Sequence, residues 1–160
     1  MAEKLDIAPS DPRELVMARL IDAPVSKVWR CWAEPEIMKL WFTPRPWKTP
    51  VIEGDMRTGG RSMVIMENPD GQRFENPGQY LEVVPERRLV FTDAYLGDWQ
   101  PSDKPFMTVV MTLEPEGNKT RYIARVRHWT EADRAQHEQM GFHEGWGIVA
   151  EQLEEIARTL

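Results

Sequence analysis

Residues 142–160, FHEGWGIVAEQLEEIARTL, decide the fold. Phe142, Trp146, Val149, Leu153, Ile156 and Leu160 recur at spacings of four, three, four, three and four, the period of one buried helical stripe. Carried back to Glu131, such a helix has about thirty residues and reaches roughly 45 Å, enough to cross a small domain. Thr130 with Asp133 three residues on resembles a capping box, with Asp where Glu is usual. Gly141, Gly145 and Gly147 each cost about 1 kcal/mol relative to Ala in a helix interior. Close backbone approach to a sheet or a bound molecule accounts for them; a local kink is the competing reading.

A one-sided helix needs an apolar surface to lie on, and the preceding chain supplies it. After a first strand at Glu14–Ile21, Pro24 stands at the start of a short helix carrying Val25, Val28 and Trp32 on one face. Pro35 opens a second short helix through Trp41, with Ile37, Met38 and Trp41 on one side. Strands are then expected at Trp47–Met56, Arg61–Glu67, Phe74–Val84, Leu89–Tyr95, Phe106–Leu113 and Thr120–Trp129. Short polar turns such as Asn68-Pro69-Asp70-Gly71 join them, which favours an antiparallel meander. Met107, Val109, Met111 and Leu113 share one face of their strand. Tyr122, Ala124, Val126 and His128 share one face of the next, opposite Arg121, Arg125 and Arg127. Such a sheet is half wet, and its apolar face must be covered by the terminal helix.

The 160 residues fit one domain, read as a flexible arm over 1–12 and a folded unit over 13–160. Hydrophobic residues make up 41% and charged residues 29%, an ordinary globular balance. Seven Trp and nine Met suit the lining of an uneven cavity, or equally a core rich in both. The net charge of −6 argues against a broad phosphate-binding surface, so no nucleic-acid partner is expected. The single cysteine, Cys31, excludes an internal disulfide and reads as a small buried hydrophobe. Residues 1–13 lack a cationic-then-apolar leader, and no apolar run is long enough for a bilayer. A cytoplasmic protein without membrane association is the expectation.

Several stretches carry more than periodicity. They are Gly54-Asp55-Met56-Arg57-Thr58-Gly59-Gly60-Arg61, Pro69-Asp70-Gly71, the run from Gly78 to Pro85, and Arg88-Leu89-Val90-Phe91-Thr92. With Ala23-Pro24-Val25-Ser26-Lys27-Val28-Trp29 and Gly145-Trp146, they resemble bacterial proteins similar to the activator of heat-shock protein 90 ATPase. That family lies in the START-like (SRPBCC) superfamily. The resemblance implies an α+β helix-grip fold, a curved antiparallel sheet around a long C-terminal helix with two short helices after the first strand. It implies activity far less, because one fold hosts many functions.

The first functional expectation is a binding module for a hydrophobic or aromatic small molecule, with no cofactor. Its wall is drawn from Trp41, Phe91, Met107, Val109, Met111, Ala124 and Val126. Phe142, Trp146 and Val149 complete it from the helix, and Asp93, Tyr122 and His128 are polar anchors. The second is a cyclase- or hydrolase-type enzyme using His128 with Asp93 or Tyr95, a pairing outweighed by a purely structural role for these groups. The third is a chaperone ATPase co-regulator acting through its surface. A metal site is not expected: His137 and His143 stand six residues apart, about 240° around a helix, and do not converge.

Overall fold

In the computed structural model, which describes residues 2–160, a single eight-stranded antiparallel sheet runs in the order β1-β2-β8-β7-β6-β5-β4-β3. After β2 (Glu14–Ile21) come α1 (Val25–Ala33) and α2 (Pro35–Met38). The meander then continues through β3 (Lys48–Gly54), β4 (Arg61–Glu67), β5 (Arg73–Val84) and β6 (Arg88–Thr92) to β7 (Met107–Glu116) and β8 (Lys119–His128). The chain returns so that β8 lies between β7 and β2. The N-terminal arm carries β1 (Glu3–Lys4), paired with Leu20 and Arg19 of β2, and Ala2 is buried.

The alternation on β7 and β8 fixes the inner face. Val109 stands opposite Val126, Met111 opposite Ala124 and Leu113 opposite Tyr122, and all six are buried. Leu15, Met17 and Ile21 extend that layer onto β2. On the other face Glu14 is only 1% exposed, beneath Arg125 and Arg127 at 2.8 and 3.0 Å. Ser10 adds its backbone N–H and hydroxyl to the same carboxylate. The arginine stripe is therefore organised around a buried acid. Register shifts in β3 between Lys48 and Val51, and in β5 between Tyr80 and Glu82, bend the far half of the sheet.

The terminal segment is two helices, α3 (Glu131–Gln139) and α4 (Phe142–Ala157). Gly141 separates them at φ 95°, in the left-handed region that glycine enters without a Cβ penalty. The kink is thus the correct account of this glycine. Gly147 has a different cause: a Cβ there would meet the Arg19 guanidinium at 2.7 Å. Thr130 caps α3 by accepting from the Asp133 N–H.

α4 packs against α1 and β2 through Ala150, Leu153 and Ala157. Polar contacts fix its position. The Gln152 amide donates to the carbonyls of Trp41 and Thr43 at 3.0 and 2.7 Å and accepts from the Arg45 N–H at 3.0 Å. Glu154 accepts from the Asp22 N–H at 2.9 Å. The helix is thereby tied to both ends of the α1–α2 segment. No helix is long and apolar enough to cross a membrane among the described residues.

Candidate functional site

Where the bulged half of the sheet curls away from α4, space remains between β4–β7 and the two short helices. This cavity has a volume of about 310 Å³. Trp32 of α1, Met38 of α2 and Phe42 line one side; Val64, Met66, Tyr80, Phe91, Met107 and Val109 line the other. None of its lining residues comes from α4. The aromatic side is closely packed. Trp32 sits edge-on to Trp41 and Phe42, with ring centroids at 5.0 and 6.0 Å, and tilted against Phe91 at 5.5 Å. Its indole N–H donates to the Tyr122 hydroxyl at 3.1 Å, and the Trp41 indole N–H donates to the Cys31 carbonyl at 3.0 Å.

The expected wall residues divide between two environments. Phe91, Met107 and Val109 line the cavity. Trp41, Met111, Ala124, Val126 and Phe142 are instead closed into the core, at 2% exposure or less. Trp146 and Val149 are partly buried against that core. The reason is the tight seat of α4 over α1 and β2, which leaves the void beside the helix rather than under it.

The expected polar anchors divide likewise. Asp93 lines the cavity, and its Oδ1 accepts from the backbone N–H groups of Phe106 and Met107 at 2.8 and 3.1 Å. Tyr122 is buried in the core, where loss of water pushes its phenol pKa up. His128 does not line the cavity: its Nδ1 lies 2.9 Å from the Arg13 carbonyl and its Nε2 lies 2.9 Å from His137 Nδ1. A carbonyl only accepts, so Nδ1 of His128 carries a hydrogen and, in the neutral pair, His137 donates to Nε2. Both ring nitrogens are engaged, and neither meets Asp93 or Tyr95. Tyr95 packs its ring edge-on against Trp99 at 5.5 Å.

His137 lies among Phe106, Phe142 and Trp146, and burial first, then the neighbouring His128, lowers its pKa to about 4. His143 faces solvent and pairs with Glu138 at 2.8 Å. Burial pushes the Cys31 thiol up to about 12, which makes it a poor nucleophile.

Two polar residues on the cavity were not legible in the sequence. Gln79 is fully buried, and its Oε1 accepts from the Trp99 N–H at 2.8 Å. Its Nε2 has no partner. Ser102 Oγ is also buried without one, and these are the only two such side-chain atoms among the described residues. Both residues border the cavity, but the pairing of Gln79 with Thr92, and of Thr92 with Thr108, sets the Gln79 side chain on the outer face of the sheet, under the loop that carries Trp99.

The loop from Asp93 to Phe106 forms the outer wall, contributing Leu96, Ser102 and Lys104. Its tip holds Asp98 and Trp99 at φ 51° and 61°, an arrangement that costs non-glycine residues energy and is held by the Gln79–Trp99 and Asp98–Gly59 bonds. Burial raises the pKa of Tyr80 on the opposite wall, with a hydrogen bond to Ser62 acting the other way. A larger depression of about 510 Å³ lies on the outer face around Arg13, Glu14, Arg127 and Trp129. Its charged groups already bond one another, Arg127 to Glu14 and Arg13 to Asp11. The cavity between β4–β7 and the short helices, with its apolar wall, is the better site for an apolar molecule.

The sequence model of the family described as Activator of Hsp90 ATPase homolog 1-like protein matches residues 22–158. A crystallised protein from Nitrosomonas europaea is 41% identical with a TM-score of 0.90, over 94% of this chain and 97% of its own. A Mycobacterium smegmatis protein at 24% identity has a TM-score of 0.80, with 96% of each chain covered. One from Rhodobacter sphaeroides at 17% identity has a TM-score of 0.84, over 99% of this chain and 100% of its own. The last two show the shared fold alone. No curated protein matches the chain.

Proposed function

The chain belongs to the Activator of Hsp90 ATPase homolog 1-like family, and we propose that within it this protein binds a hydrophobic or aromatic small molecule. The observation that carries the reading is the cavity of about 310 Å³ between β4–β7 and α1–α2, apolar along Trp32, Phe42, Val64, Phe91 and Val109. At about 30 Å³ per water it offers the space of roughly ten waters, enough for a molecule of one or two rings. Pockets of this kind are mainly apolar with a few polar groups that orient the guest.

The test is native mass spectrometry of freshly purified protein beside the Val64→Phe variant, whose added ring takes up cavity space. A co-purified mass below about 400 Da on the wild type and absent from the variant is the expected result. If neither the native protein nor a panel of apolar aromatics gives a bound species, the reading fails. A chaperone partner is the other proposal the family name invites. It requires that the purified chain change the ATPase rate of the chaperone at saturating concentration, whether or not the cavity is filled by Val64→Phe.

A further inference from the structure

We infer that the Tyr80 hydroxyl orients the guest of this cavity by donating a hydrogen bond to an oxygen acceptor, such as a ketone, with Ser62 as the residue that positions it. The inference rests on the small-molecule reading and adds which end of the molecule lies against β4 and β5.

Register puts both hydroxyl-bearing residues on the inner face. Tyr80 pairs with Phe91 and Phe91 with Val109, so the three share one face of the sheet, and all three line the cavity. On β4, Ser62 alternates with Val64 and Met66 on one face, and these three line the cavity as well. The residues paired with Ser62 on either side are Gly54 and Gly78. Neither carries a side chain, so no neighbour in that row covers the serine, and the Tyr80 ring leans into the gap. Its Cε2 lies 3.6 Å from where a Cβ of Gly54 would stand. The phenol thus reaches from β5 across β4, where its hydroxyl meets Ser62.

The hydrogens of this pair can be counted. Each hydroxyl has one O–H to donate and lone pairs that accept. One hydrogen joins the two, and among the described residues neither hydroxyl has another partner. The second hydrogen is surplus. Burial raises the Tyr80 pKa, with the Ser62 bond acting the other way, so the phenol keeps its proton at neutral pH. A bond that favours the phenolate is one donated to the phenol oxygen, which makes Ser62 the donor within the pair. The surplus hydrogen is then the one on Tyr80. Passed to a guest oxygen, it completes a chain of two hydroxyls in which each bond polarises the next. The far end of the cavity offers no such group, because the Trp32 indole N–H is already given to Tyr122. The apolar part of the guest lies there, along Phe91 and Val109.

The experiment measures binding of 2-acetylnaphthalene and 2-ethylnaphthalene to the full chain and to Tyr80→Phe by equilibrium dialysis. The two compounds have nearly one shape, and only the first carries an acceptor. The variant removes one oxygen and keeps the ring. It is expected to weaken the acetyl compound about fivefold, the net scale of one hydrogen bond, and to leave the ethyl compound within about twofold. Ser62→Ala is expected to weaken the acetyl compound less than Tyr80→Phe does. Isotope-edited infrared difference spectra of the ketone bound to the wild type keep the test open if Tyr80→Phe fails to fold. A carbonyl stretch below its position in hexane is expected. A wild-type stretch at the hexane position overturns the inference, and so do equal changes for the two compounds in folded Tyr80→Phe. A larger loss in Ser62→Ala than in Tyr80→Phe moves the donor to the serine and also overturns it. In each of these cases binding of the ethyl compound leaves the cavity reading intact. No binding of either compound removes both.

Discussion

His137 and His128 meet ring to ring, Nδ1 to Nε2 at 2.9 Å, and this contact joins α3 to the last residue of β8. The pair works only while at least one ring is neutral. Burial lowers the His137 pKa to about 4, against an ordinary value of 6.5. Between those values the unfolded chain binds a proton that the folded chain does not, so stability rises with pH across that window. Taking the protein from pH 7 to pH 4 is expected to cost on the order of 2 kcal/mol from this residue, solvent screening included. Urea melts over that range check it, and His137→Gln is expected to flatten the slope.

Glu14 gives a second, lower window. Burial raises its pKa, but the Ser10 N–H and the guanidinium groups of Arg127 and Arg125 outweigh it and hold the carboxyl below its usual value. Its contribution is present above the ordinary carboxylate range and is lost as pH falls through the depressed value. Glu14→Ala leaves both arginines crowded without their acid. A loss of about 2 kcal/mol at pH 7 is expected, moderated because Arg125 and Arg127 reach solvent. Chemical denaturation at low and high salt measures it.

Gln152→Leu removes three hydrogen bonds and strands the Trp41 and Thr43 carbonyls and the Arg45 N–H. About 3 kcal/mol of destabilisation is expected, read as a lower urea midpoint with an unchanged slope. Gln152→Glu keeps the bond from Arg45 but turns a carboxylate toward two carbonyls. It should be no better tolerated than leucine at neutral pH.

Gly145 is the terminal-segment glycine with no structural demand on it. It lies within α4, and a Cβ there meets nothing within 4 Å. Gly145→Ala is expected to raise stability by up to about 1 kcal/mol, or roughly 3 °C in Tm. Gly141→Ala should instead destabilise, since φ 95° strains any Cβ. Calorimetry on the two variants separates a glycine that turns the chain from one that is merely tolerated.

The strands and their faces were legible because alternation is local: Met107 to Leu113 and Tyr122 to His128 read correctly from sequence and pair in that register. The stripe from Phe142 to Leu160 likewise announces a covering helix. What alternation does not encode is how closely that helix seats. Phe142 and Met111 look the same in sequence as Phe91 and Met107, yet the first two are sealed in the core and the others border the void. The difference arises from bulges near Val51 and Leu81 and from the Gln152 and Glu154 ties, contacts between residues far apart in sequence. Gln79 was illegible for the same reason. A glutamine inside Gly78-Gln79-Tyr80 announces neither its burial nor that Trp99 will occupy only one end of it.

The amide of Gln79 is flat, so its oxygen and nitrogen turn as one piece. Turning that plane moves the oxygen away from Trp99, the residue that pins the tip of the Asp93–Phe106 loop. The unpartnered nitrogen is what remains once that loop is fastened to β5.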